Sequence, residues 1–177
     1  MKRARIKIAL AVATAGVLGL GTVAMASDGG DERETLTGYE EVPALSTPGV
    51  GEFEASISRS SDEIRYGLTF SGLESDATQA HIHFENETNN GPIVVFLCTN
   101  LGNGPAGTQA CPAAGGTIRG TITPADVGAG AAAQGLATGE FDEFVRAIRA
   151  GATYVNVHSV NRPGGEIRAQ LENDEDD

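Results

Sequence analysis

After Lys7 the chain contains no lysine, and beyond residue 26 its basic charge comes from eight arginines set against 24 acids, a formal charge of −16. That balance excludes nucleic acid and anionic membrane surfaces as natural partners. Past residue 26 no apolar run is long enough to cross a bilayer. No serine lies in a G-x-S-x-G elbow, which removes the commonest serine-hydrolase signature. GGTIRG at 115–120 opens a strand rather than a helix, so it is no phosphate cradle. The many acids include no pair that spacing assigns to glycoside hydrolysis. Only two cysteines and three histidines occur in 177 residues, so thiol and imidazole chemistry is confined to a few positions.

What is present begins with MKRARIK, an apolar stretch, and Ala24-Met25-Ala26 before a polar SDGGDERE. A basic start, an apolar core and an A-x-A end predict a secretory signal peptide over 1–26, cut before Ser27. The expected organisation is then an acidic leader at 27–34, one domain at 35–172 and an acidic tail at 173–177. About 150 residues suffice for one domain with a real core. The location implied is secreted, in the extracellular space or cell envelope, with no membrane span after cleavage. Cys98 and Cys111 both lie in the exported part, where a disulfide is the expected state. Twelve residues rich in Gly, Asn and Pro separate them, a gap unlike that of a zinc knuckle.

Along the domain, short alternating segments are broken by turn residues. Phe53, Ala55 and Ile57 alternate with polar neighbours, as do Ile64, Tyr66, Leu68 and Phe70. This period of two predicts antiparallel strands with one buried face. TQAHIHF, PIVVFLC, GGTIRGTIT, TYVNVHS and GEIRAQL read as further strands. TPADV opens a short helical turn with Thr123 as its cap, and Gly- and Ala-rich residues 128–139 are expected to pack loosely. FDEFVRAIRAG is the one clear helix: Phe141, Phe144, Val145 and Ile148 share a face, acids precede arginines, and Gly151 ends it. The fold class is all-β, a Greek-key-like antiparallel sandwich or partly closed barrel with one short capping helix.

The chemistry centres on AHIHF at 80–84. In a strand His81 and His83 point one way while Ala80, Ile82 and Phe84 point the other. Val155 and Val157 are the core pair of TYVNVHS, so Asn156 and His158 point away from them. All three histidines are expected on outer strand faces, where they converge if their strands are neighbours. Three neutral imidazoles suit zinc or copper with a fourth position open. Glu85, Asn156, Glu166 and Arg168 are the candidate residues to support such ligands. The competing reading makes the rings hydrogen-bonded ties between strands. No cofactor follows from the sequence beyond this possible Zn or Cu. Asn86-Glu87-Thr88 matches a glycosylation acceptor and reads equally as a polar turn.

Three blocks carry a family resemblance. LTGYEEVPALSTPGVGEFEASI is similar to a start of the form L-x-G-x-x-E-V-P. AHIHFENETNNGPIVVFLC is similar to A-H-I-H followed by G-P-V-V. FVRAIRAGATYVNVHSVNRPGGEIRAQL is similar to I-x-x-G-x-x-Y-V-N-V-H-T with P-x-G-E-I-R-G-Q-L, departing at Ser159 and Ala169. Together they resemble the CHRD (chordin-type) domain family in its bacterial secreted form, over roughly Thr35 to Leu171. The resemblance implies an extracellular β-sandwich module without established chemistry, similar to the scaffold within an animal antagonist of secreted signalling proteins. It implies a partner that is an extracellular protein or surface ligand. It also places His81, His83, Asn156, His158, Gly165, Glu166 and Arg168 at motif positions. The H-x-H strand resembles copper–zinc superoxide dismutase locally, but that chemistry needs more histidines than this chain has.

Overall fold

The computed structural model describes residues 31–58 and 62–171. The expected signal segment at 1–26, residues 27–30 and 172–177, and the centre of the 58–62 turn lie outside the described residues. Eight antiparallel strands form one sheet: β1 (Asp31–Thr37), β2 (Val50–Ile57), β3 (Ile64–Ser71), β4 (Ala77–Phe84), β5 (Ile93–Thr99), β6 (Gly116–Ile122), β7 (Thr153–Ser159) and β8 (Ile167–Leu171). Their order across the sheet is β5-β4-β7-β8-β1-β2-β3-β6. The sheet curls into a nearly closed barrel, within the sandwich or partly closed barrel expected from the sequence.

The alternating residues set the register. Phe53 faces Leu68, Ala55 faces Tyr66 and Ile57 faces Ile64 across β2 and β3, so all the apolar members enter the barrel interior together. Ala80, Ile82, Val155, Val157, Ile167 and Ala169 supply the interior of the opposite half. Residues 31–34 belong to β1 rather than to a loose leader. Asp31 to Thr37 pair residue by residue with Ser56 to Val50, and Leu36 is fully buried beneath them. Composition hid this strand, because acids such as the buried Glu32 interrupt its apolar pattern.

One α-helix occurs among the described residues, α1 (Phe141–Arg149), and its buried face is the predicted Phe141, Phe144, Val145 and Ile148. Gly151 follows in the left-handed region at φ 64°, a conformation that stops the helix at little cost to glycine alone. TPADV forms a single 3-10 turn, Pro124–Asp126, closed by reciprocal bonds between Thr123 and Asp126. The 128–139 segment is packed rather than loose. Ala131 and Leu136 are buried, Gly128 donates to Val94 O, and a Cβ on Gly130 would fall 1.9 Å from Ile93 O.

The sheet's end strands, β5 and β6, meet at a seam closed by side chains. Gln109 Nε2 donates to Leu97 O at 3.1 Å and to Arg119 O at 3.2 Å, while Tyr66 Oη donates to Leu97 O. Cys98 and Cys111 form a disulfide at 2.03 Å, holding the base of the 99–110 loop against β5. Among the described residues no helix is long and apolar enough to cross a membrane.

Candidate metal centre

β4 and β7 are neighbours, and their register builds the site. His81 lies opposite Asn156, which lies opposite Arg168 on β8. His83 lies opposite Tyr154, and Gln79 opposite His158. Directly opposed residues share a face, so these polar side chains form one patch behind the apolar wall of the barrel. Alternation therefore identified which residues share a face. It misplaced that face: the patch is not an outer surface. His81, His83 and His158 are 0%, 6% and 6% exposed. Three loops roof it, namely 38–48, 85–92 and 160–165.

Arg168 fastens this roof. It is buried, it donates to Asn86 O at 3.0 Å and Asn89 O at 3.1 Å, and its guanidinium lies 3.5 Å from the Tyr154 ring centroid. Tyr154 stacks in turn on His83, with centroids 4.7 Å apart and planes 1° from parallel. Gly91 closes the stack from above: its carbonyl accepts from His83 Nδ1 at 2.9 Å, and its N–H donates to Tyr154 Oη at 3.1 Å.

The histidine nitrogens are fixed by the same backbone. His83 Nδ1 donates to Gly91 O and His158 Nδ1 donates to Pro163 O at 3.1 Å. Both rings therefore turn an Nε2 lone pair inward, the arrangement found where imidazole ligates a metal. His158 Nε2 lies 3.2 Å from His81 Nδ1. Two nitrogens bonded to one tetrahedral zinc at 2.0–2.1 Å are separated by about 3.3 Å, so this edge already has ligand spacing. One nitrogen from each of the three rings falls within 4.8 Å of the others. The longest separation must close by about 1.5 Å to give a regular tetrahedron. His81 Nε2 and His83 Nε2 are buried without a hydrogen-bond partner.

Electrostatics hold the rings neutral, as a metal ligand requires. Burial lowers the His81 pKa to about 2, with the neighbouring His158 and His83 adding to it. Burial likewise takes His158 to about 4 and lowers His83, whose bond to Gly91 works in the opposite direction.

The supporting residues divide. Asn156 stands beside His81 and His83, and its Oδ1 is buried without a partner. Arg168 acts through Tyr154. Glu85 instead accepts from the Asn86 backbone N–H. Glu166 is committed elsewhere, accepting from Thr47 Oγ1 at 2.6 Å, Glu74 N at 2.7 Å and Ser159 Oγ. It pins three segments together rather than reaching the rings. The Asn86 carboxamide oxygen accepts from Thr88 and Asn89, the polar-turn arrangement.

Sequence reasoning passed over Glu41, Tyr154 and Gly91. Glu41 is 5% exposed, bonds to Asn156, and lies in the field of Arg168; burial outweighs both and raises its pKa to about 7. Gly165, at φ 125°, leaves the room this needs, since a Cβ there would fall 2.4 Å from Glu41 Oε1 and 2.8 Å from Asn156 Nδ2. The signal was available: Glu41-Val42-Pro43 and Gly91-Pro92 both stand inside the motif blocks quoted above.

Comparison with characterised proteins returned no match, and comparison with solved structures returned none. A family model for the CHRD domain matches residues 33–171, which takes in every strand but the first two residues of β1. Its span contains all three histidines, Asn156, Arg168 and Glu41, so the chain belongs to the CHRD domain family.

Proposed function

We propose that this chain is an exported, non-enzymatic CHRD module whose binding element is the three-histidine centre, holding one zinc or copper ion. Family membership supports a non-enzymatic module. The disulfide and the N-terminal sequence support export. The observation that carries the metal is the pair of backbone-fixed rings: His83 and His158 each spend Nδ1–H on a carbonyl, and one nitrogen of each of the three rings lies within 4.8 Å of the others. The His158 lone pair meets His81 Nδ1, but His83 Nε2 is buried without a partner, and such a nitrogen costs about 1–3 kcal/mol. A bound cation removes that cost.

Elemental analysis of protein purified without a histidine tag tests this. Close to one equivalent of zinc or copper is expected, together with a thermal midpoint that falls on chelation and returns on adding the ion. Sub-stoichiometric metal, with no stabilisation by either ion, would leave the histidines as strand ties. In that case the module binds its extracellular partner through another surface.

A further inference from the structure

Three ring nitrogens leave a tetrahedral ion one ligand short, and zinc sites of that kind carry water or an exchangeable ligand in the fourth position. Among the described residues, no cysteine, aspartate or glutamate joins the histidine group to complete it. Two further atoms of the same patch lack hydrogen-bond partners: Asn156 Oδ1 and Glu41 Oε1. Both are acceptors, and both belong to side chains more than nine-tenths buried. Asn156 opposes His81 on the neighbouring strand, and its side chain also meets His83, where it favours the protonated ring. Glu41 bonds to Asn156 from the roof.

The orphan atoms thus fall into two chemical kinds. Ring nitrogens offer lone pairs to a cation, and carbonyl-type oxygens require an O–H or N–H donor. A bare ion satisfies only the first kind. An ion carrying a water satisfies both, because the metal takes the nitrogens while the water donates its two hydrogens to the oxygens. The charge argument agrees. Three neutral imidazoles leave a divalent ion uncompensated in a buried patch that already holds the Arg168 guanidinium. The Glu41 carboxylate is the acid that bonds to Asn156 within this patch.

Resting on the three-histidine reading above, we propose that the centre takes a divalent ion with an exchangeable fourth ligand. Asn156 and Glu41 receive that ligand, and Glu41 supplies the counter-charge. The site is then selective for a dication over cuprous ion, which needs neither a fourth ligand nor a full counter-charge. It admits a small anion in place of water, with Glu41 opposing that exchange. Glu41 is a positioning residue here and touches no metal.

Cobalt(II) is the probe, read by its visible spectrum in the tag-free protein, with azide as the competing anion. The wild type is expected to take up one equivalent with the intense visible bands of a tetrahedral ion, and azide is expected to shift them. Glu41→Gln should retain cobalt but bind azide about tenfold more tightly, the effect of deleting one negative charge from the buried patch. A merely structural glutamate would lower cobalt and azide binding together, so that result overturns the role given to Glu41. Cobalt bands that azide does not move overturn the exchangeable ligand while leaving the three-histidine centre intact. If the wild type takes up no cobalt, the centre itself is refuted and this inference goes with it. The azide titration of the wild type needs no variant and is immune to a folding defect.

Discussion

At the scale of single residues, polar groups rather than apolar ones make this patch specific. Arg168 is the extreme case: a guanidinium with 1% exposure whose partners are mostly loop carbonyls. Arg168→Met should destabilise the protein by about 3 kcal/mol, because Asn86 O and Asn89 O lose their donor while staying covered. Urea denaturation checks it, and hydrogen exchange should place the loosening in residues 85–92. The pH dependence of the metal-free protein follows from two opposing sets of groups. The histidines have folded pKa values below the unfolded value of 6.5, so the unfolded chain takes up their protons first and stability falls as pH drops below about 6.5. Glu41 runs the other way. Its folded value of about 7 exceeds 4.5, so its protonated form stabilises the fold at low pH and that contribution is lost as pH rises through 7. Three histidines outweigh one glutamate from pH 4.5 upward, so the urea midpoint should rise with pH and level off above about pH 7. Glu41→Gln should steepen that rise between pH 4.5 and 7, because the opposing contribution of Glu41 is gone, and leave the plateau above it flat.

Elements differ in how much of them the sequence made legible, and the reason is which neighbour decides each one. Helix α1 was readable to the residue because its amphipathic period, acidic start and Gly151 stop are all local. Phe144→Ala should cost about 3–5 kcal/mol by removing its fully buried ring, as calorimetry can measure. Strands β2, β3, β4 and β7 were readable by alternation, and so was the shared face of His81 and His83. Whether that face met water was not readable. It depends on loops at 38–48 and 85–92 that are remote in sequence and fastened by Arg168, Asn90 and Tyr154. Glu41 was hidden for the same reason, standing in a loop with no periodicity of its own. Strand β1 was hidden by its acids. The Cys98–Cys111 bridge was legible from compartment and count. Removing it with a Cys98→Ala/Cys111→Ala pair should cost about 3 kcal/mol for a closed loop of this length, readable as a lower urea midpoint.

Taken whole, the molecule is two four-stranded leaves. One holds β5, β4, β7 and β8, the other β1, β2, β3 and β6. The leaves meet at the seam bridged by Gln109 and Tyr66 and at the β1–β8 junction, where Thr37 opposite Arg168 is the paired position. Gln109→Ala should lower stability by about 1–2 kcal/mol and raise hydrogen exchange along β5 and β6, because the carbonyls of Leu97 and Arg119 lose a shared donor. All three histidines ride on a single leaf, on strands β4 and β7. Glu41 reaches across from the loop that follows β1 of the other leaf.

That junction sets how the domain carries mechanical load. β1 and β8 are antiparallel neighbours, so residues 31 and 171 leave the sheet at the same end. A pull applied to those two points loads the junction at its single paired position, Thr37 opposite Arg168, instead of shearing many rungs at once. The pulled strand β8 belongs to the histidine leaf but carries none of the rings, which ride on β4 and β7. Glu41 follows β1 directly, so tension on that strand reaches the acid of the site through the chain itself, and reaches the rings only through β8 and its pairing with β7.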